Sequence, residues 1–390
     1  MKKIILLAAT FLLLIGILTA FSLKEYKNNR KASLASAEAK KKPEEENKGS
    51  IQPVKEPASP PKPVISTVTL AAVGDILIHD RVYYKARQPD GTYNFNPMFR
   101  FVKPYLAKSD ITIANQETMI GGKLLGLSSY PSFNSPYEIG DALKDNGVDL
   151  VTLANNHTLD RGEKVIQSAI RHWNKIGMPY TGSFQSKKDQ DRIRILKKNG
   201  IFFSFLSYTY GTNGITVPRE KSYLVNLIDL KQIQQDIRAA KQLSDVVVVS
   251  LHFGLEYERM PNKEQKRIVQ ETANSGADII IGSHPHVLQP VAWVKRKDGQ
   301  RTFVAYSLGN FLSGQRWDYK DIGGIVRIEV KKTVIGNKEK IKLQHPAFLP
   351  TWVNRNYEIL PIKQLKDKKS TYEEIKKHMN QWTPELSFQF

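Results

Sequence analysis

The sequence predicts an α/β fold, and three observations predict it. Short apolar runs rich in valine and isoleucine recur at residues 68–73, 111–114, 150–154, 201–206, 246–250, 279–282 and 302–307. Helical stretches fall between several of them, at 137–146, 162–176, 230–243 and 262–275. The runs are apolar on both faces, as strands buried on both sides of a sheet must be. Strands that alternate with helices point to a sheet joined by crossovers. After about Gly323 the pattern becomes β-rich.

The elements begin only at residue 67. Before them, Lys2 and Lys3 precede an uncharged apolar stretch at residues 4–23. A helix of about 20 residues, rising 1.5 Å per residue, reaches about 30 Å, the thickness of a bilayer core. Cleavable signals carry a shorter apolar region, and Leu18 is too large for a small-residue cleavage site at 18–20. Residues 1–23 therefore read as an uncleaved, single-pass membrane anchor. The basic flank after this stretch is heavier than the one before it, which alone would put residue 24 in the cytoplasm. Residues 24–66 show no apolar period and run through Lys40-Lys41-Lys42-Pro43-Glu44-Glu45-Glu46 and four prolines, Pro57, Pro60, Pro61 and Pro63. Such a segment buries too little apolar surface to offset its ordering entropy and reads as a disordered spacer. The division expected is an anchor at 1–23, a linker at 24–66, a folded domain at 67–350 and an extension at 351–390.

The chain of 390 residues contains no cysteine, which excludes disulfides, thiolate metal sites and cysteine nucleophiles. The formal charge is +20, of which +6 lies on residues 1–66 and +14 on the rest. A basic domain favours anionic partners, namely phosphate esters, acidic polymers or anionic lipid. No nucleic-acid motif is present, and nucleic acid is not an expected partner.

Polar clusters at the ends of the apolar runs carry the chemistry. Val73 leads into Gly74-Asp75, Ala114 into Asn115-Gln116-Glu117, and Ala154 into Asn155-Asn156-His157-Thr158-Leu159-Asp160. Ser250 leads into Leu251-His252-Phe253-Gly254-Leu255-Glu256, Gly282 into Ser283-His284-Pro285-His286, and Ser307 into Leu308-Gly309-Asn310. Ligand sites of α/β sheets lie at the carboxyl ends of the strands. Strands sharing one sheet edge would bring all six clusters to one crevice. Of eight histidines in the chain, four (His157, His252, His284 and His286) fall in these clusters. Imidazole nitrogens with carboxylate and amide oxygens suit Zn²⁺, Mn²⁺ or Fe. Two such ions can activate water for displacement at phosphorus, and a histidine outside the ligand set can protonate the leaving oxygen. Pro285 restricts the turn that carries His284 and His286, and biases His284 towards an extended backbone. Read one at a time, Asp160 is an N-cap for the helix beginning near Arg161, and Leu308-Gly309-Asn310 is a strand-end turn.

Five ordered motifs resemble the CapA family of poly-γ-glutamate capsule biosynthesis proteins. They are Gly74-Asp75-Ile76-Leu77, the run from Asn155 to Gly162, the run from His252 to Tyr257, the run from Gly282 to Gln289, and the run from Tyr306 to Phe311. That family looks like a branch of the calcineurin-like metallophosphoesterases. The resemblance implies a layered α-β-β-α sandwich, and an anchor that leaves the domain on the extracytoplasmic side of the cell membrane. It also implies one or two divalent metal ions held by Asp75, Glu117, Asn156, His252, His284 and His286, with His157 as the catalytic proton donor. This chain departs from the superfamily pattern at Leu77, where a histidine usually stands. His79 comes two residues later, and Glu117 takes the place of an aspartate. The function implied is a part in poly-γ-glutamate synthesis or export, beside membrane-bound polyglutamate synthase components. The alternatives are a metal-dependent phosphatase or phosphodiesterase acting on an envelope substrate, and a catalytically silent scaffold. The enzyme reading leans towards a metal-dependent phosphoesterase-like hydrolase.

Overall fold

The strand runs of the sequence assemble into two sheets, the number that a layered α-β-β-α sandwich requires. In the computed structural model the described residues are 61–390, so the expected anchor at 4–23 and the linker up to residue 60 lie outside them. Among the described residues, no helix is long and apolar enough to cross a membrane.

The first sheet has the order β14 (Ile359–Pro361), β13 (Lys338–Val353), β12 (Ile322–Ile335), β1 (Val64–Leu77), β2 (Ile111–Gln116), β3 (Leu150–Thr152) and β4 (Tyr180–Thr181), with β11 (Asn310–Ser313) also on β1. The second has the order β5 (Arg194–Lys198), β6 (Ile201–Thr209), β7 (Val246–His252), β8 (Ile279–Ser283), β10 (Arg301–Leu308) and β9 (Leu288–Lys295). Strands β1 to β4 run parallel, as do β6, β7, β8 and β10, while β12 to β14, β5 and β9 join antiparallel. The first strand starts at Val64, three residues earlier than the folded domain expected from sequence, because residues 64–67 pair with 331–334 of β12.

Side-chain alternation explains the layering. Along β1, Val68, Leu70 and Ala72 point into a core shared with Phe203, Val246 and Ile279 of the second sheet. Ala71 and Val73 point the other way, into a core shared with Ile166, Ile170 and Trp173 of the helix Gly162–Ile176. Along β7, Val247, Val249 and Leu251 face Ile233 and Ile237 of helix Leu230–Lys241, and Val269 of helix Lys263–Asn274. The order is helix, sheet, sheet, helix. The helices stop and start where the local chemistry dictates. Gly177 supplies the left-handed C-terminal turn of helix 162–176 at φ +64°, and Asn262 with Gln265 forms a capping box on helix 263–274.

Residues 351–390 are part of the same body. Ile375 and Met379 of helix Lys369–Asn380, with Leu386 and Phe388, complete the core between the sheets. Their apolar positions are too few and too scattered along the chain to announce this from sequence.

Candidate metal centre

Each candidate residue is delivered by the carboxyl end of a parallel strand, and the two sheets contribute from opposite sides. Asp75 lies near the end of β1, where Gly74 lets the Gly309 carbonyl approach so closely that a Cβ would sit 1.8 Å from its oxygen. The Asp75 amide donates to that same carbonyl at 2.9 Å. Glu117 comes after β2, its amide held by the Ile76 carbonyl. Asn156 and His157 come after β3, in a turn braced by Thr158, whose hydroxyl donates to the Leu153 carbonyl at 2.6 Å. His252 ends β7, and His284 and His286 come after β8.

The structure brings Asp75, Glu117, Asn156, His252, His284 and His286 around one small space, with His157 on its rim. His286 Nδ1 lies 3.2 Å from Asp75 Oδ2, and its Nε2 lies 3.7 Å from Glu117 Oε1. His252 Nε2 lies 3.7 Å from the same Glu117 oxygen and 2.8 Å from Asn156 Oδ1. The His284 ring centre is 4.9 Å from that of His252 and 5.9 Å from that of His286. His79 does not join them. Its Nδ1 accepts from the Gly314 amide at 3.2 Å, and its ring stands edge-on to Phe133.

The backbone at the His-Pro-His turn differs from the expectation. His284 has φ +100° and His286 φ +58°, so neither is extended on the usual side. Non-glycine residues reach this region at a steric cost and cluster where surrounding structure forces them. Here the force is the site itself: the His284 amide donates to Asp75 Oδ2 at 3.4 Å.

Several neighbours were not singled out by sequence. Asn115 Nδ2 donates to Asp75 Oδ1 at 2.7 Å, fixing that carboxylate. Ser283 Oγ lies 2.9 Å from His252 Nδ1. Asn310, read as a turn residue, places Oδ1 3.1 Å from His286 Nδ1. Asp160 is not a helix cap: the N-cap is Arg161, without a side-chain bond. Instead Asp160 Oδ2 lies 2.7 Å from His157 Nδ1 and accepts from the Phe133 amide. The signal available in the sequence was the i, i+3 spacing of His157 and Asp160.

The site is electrostatically incomplete. Both oxygens of Glu117, and Nδ1 of His284, are buried without a hydrogen-bond partner. Buried polar groups are almost always paired, and an unpaired carboxylate is the costliest exception. Burial, then the Asp75 charge, pushes the Glu117 carboxyl well above its usual range. Burial, then the other imidazoles, holds His252 well below its ordinary value and takes His284 down to about 3. Burial also opposes charge on His286, but Glu117 and Asp75 outweigh it and raise the group to about 9. Ligand atoms of Glu117, His284 and His286 all lie within 4.8 Å of one another, so these three can hold a metal ion. A cation would satisfy the orphaned oxygens and nitrogen together.

The chain is 29% identical over 274 residues to the capsule biosynthesis protein CapA of Bacillus anthracis, covering 68% of this chain and 64% of that protein, just under two thirds of its length. It is 29% identical over 272 residues to the PGA biosynthesis protein CapA of Bacillus subtilis, covering 68% and 69%. Among solved structures it is similar to a Haemophilus influenzae NAD nucleotidase, at TM-score 0.44 and 13% identity, over 84% of this chain and 64% of that one. A putative 5'-nucleotidase from Staphylococcus aureus matches at TM-score 0.42 and 15% identity, over 76% and 54%. The family profile of the bacterial capsule synthesis protein PGA_cap matches residues 69–315, a stretch that holds every residue of the metal centre, and the chain belongs to that family.

Proposed function

We propose that this protein takes part in the synthesis or export of a poly-γ-glutamate capsule, through a metal-dependent site of metallophosphoesterase type. The observation that carries the metal part is Glu117, whose two oxygens are fully buried and unpaired between three imidazoles. Asp75, Glu117, Asn156, His252, His284 and His286 would hold one or two divalent ions. The nitrogen and oxygen donor set suits zinc, manganese or iron. When bound, such an ion supplies Lewis acidity and makes water more acidic. Asp160 fixes the His157 ring through Nδ1, which leaves Nε2 as the nitrogen that exchanges a proton with the ligand. Asn115 and Asn310 orient Asp75 and His286 from outside the ligand set.

The apolar stretch at 4–23 supports a membrane anchor, with the domain outside the cell beside a membrane-bound polyglutamate synthase. The phosphoesterase alternative has the His157–Asp160 pair in its favour, and hydrolysis of a generic phosphate diester by the metal-loaded chain is its test. The capsule reading is tested in a polyglutamate-producing bacterium whose own relative has been deleted. Wild type should restore polymer to the cell surface and retain metal in elemental analysis. The double variant His284→Ala, His286→Ala should do neither. Full restoration by that variant would remove the metal centre from the function.

A further inference from the structure

The cavity that adjoins the metal centre has a charge opposite to that of the domain. It has a volume of about 420 Å³ and is bounded by Tyr130, Asn156, His157, Asp160, Asn213 and Glu256, among others. No lysine or arginine lines it, in a chain that carries 58 of them. Its two charged residues are both acids. The Asp160 carboxylate is committed to His157 and to the Phe133 amide. Glu256 is exposed and forms no ion pair among the described residues. Burial first, then the Glu256 charge and its hydrogen bond, push the Tyr257 hydroxyl up to about 12.

Two features beyond charge mark the chemistry that fits. Tyr130 presents 74% of its surface at the mouth, and Tyr210 and Tyr257 stand half-exposed against His284 and His286 at ring distances of 4.7 and 6.2 Å. An exposed carboxylate beside the open Tyr130 and Tyr210 rings is the arrangement that recognises an ammonium group, and Lys320 Nζ, 5.0 Å over the Tyr257 ring, already shows an ammonium held on that side. Asn213, whose amide oxygen accepts from Asn156 Nδ2 at 3.2 Å, adds neutral hydrogen-bonding capacity on the opposite wall. The lining side chains other than His157 offer a phosphate or an interior run of carboxylates no cation, so any anion held here is held by the metal centre alone.

We infer that this cavity binds the ammonium-bearing end of its ligand, with Glu256 as the specificity-determining residue, so that the site engages the amino terminus of a polyglutamate chain rather than its interior. This rests on the polymer reading above. The basic surface elsewhere attracts the polyanion, and the acidic cavity then selects the one part of it that is positively charged.

The test uses the full chain loaded with zinc or manganese, and two probes: a γ-linked glutamate pentamer with a free amino end, and the same pentamer N-acetylated. Affinities are measured by calorimetry, with metal content determined on the same samples. The free-amine pentamer should bind about fivefold more tightly than the acetylated one, the size of a partly desolvated ion pair with an aromatic neighbour. Glu256→Gln should bring that ratio close to one while the acetylated pentamer binds as before. Glu256→Lys should invert it. Because Glu256 is exposed, these variants should melt as the wild type does. Equal affinities in the wild type, or a ratio that survives Glu256→Gln, would overturn the proposal and leave the polymer reading standing. If neither pentamer binds while metal is retained, both fall and only the metal centre remains.

Discussion

Asp160 reaches back three residues to hold His157 by Nδ1 at 2.7 Å, inside the turn after β3. Both side chains are nearly buried, so the contact is shielded from competing water. The Phe133 amide donates to the same Asp160 oxygen, and the Phe133 ring packs edge-on against His157 at 4.7 Å. The imidazole therefore has one orientation. On the phosphoesterase alternative proposed above, Asp160→Asn should lower metal-dependent hydrolysis of a phosphate diester about 10- to 100-fold with metal content unchanged. His157→Ala should abolish hydrolysis and also keep the metal. Loss of metal in either variant would make these residues part of the ligand set instead.

Seven strands and four helices were legible because a buried parallel strand needs a continuous β-branched run and an amphipathic helix needs its 3.6 period; the short and edge strands and the helix Lys369–Asn380 were not. The end of β3 was one of the limits: the sequence extends the run to Ala154, but pairing with β2 stops at Thr152. The number of sheets was not legible from the strand pattern and came only from the family resemblance. Val246–His252 reads the same whether it continues the sheet of β1 or starts another, since both give a strand apolar on two faces. The site residues were legible through one rule, polar clusters at strand ends, which holds across two facing sheets as well as along one. Asp160 was misassigned because an aspartate just before a helix is ordinarily a cap, and only the fold reveals that His157 competes for it. His79 was ambiguous by spacing alone, and Gly314, 235 positions away, decides its role.

The buried His79 should make stability depend on pH. Burial is the main cause that takes this histidine down from 6.5 to about 4. Nδ1 lies 3.2 Å from the Gly314 amide and 3.1 Å from the Leu77 carbonyl, so the neutral ring can serve either partner and the charged ring only the carbonyl. The unfolded chain therefore binds a proton at higher pH than the folded one. The contribution to stability is full above about 6.5, declines as pH falls towards 4, and is then constant. The span is on the order of 3 kcal/mol. Other buried groups titrate in the same window, so the readout is a difference: between these pH values His79→Gln should lose about 3 kcal/mol less denaturant stability than the chelator-treated wild type. An equal loss in both would place the acid sensitivity elsewhere.

The C-terminal helix should be a structural member rather than an appendage. Ile375 and Met379 are fully buried in the inter-sheet core. Each truncation to alanine should cost about 2–5 kcal/mol, the usual range for a buried aliphatic side chain. Urea unfolding of the single variants reads this directly. A cost below about 1 kcal/mol would mean that the helix is peripheral.

A metal ligand and a structural carboxylate respond in opposite ways to loss of charge, and Glu117 can be sorted by that response. Glu117 is completely buried, and neither of its oxygens has a hydrogen-bond partner. Its carboxyl is pushed well above the ordinary range, by burial first and by the Asp75 charge second. A group in that position destabilises the metal-free protein, because imidazoles at 3.7 Å offset only part of its desolvation and no hydrogen bond completes it. Glutamine has almost the same shape and no charge to desolvate. Glu117→Gln should therefore raise the thermal midpoint of chelator-treated protein, by about 2–4 °C for each kcal/mol recovered. The same change should remove the stabilisation that metal gives the wild type. That stabilisation is about 2.7 kcal/mol when free metal is a hundredfold above its dissociation constant. The two effects have opposite signs, and a structural role for Glu117 produces neither. Melting curves with and without zinc or manganese measure both. If Glu117→Gln lowers the midpoint of the metal-free protein, the carboxylate is bonded in the native state and is not waiting for a cation. If metal still stabilises the variant fully, the ion is held without Glu117, and the unpaired oxygens need another explanation.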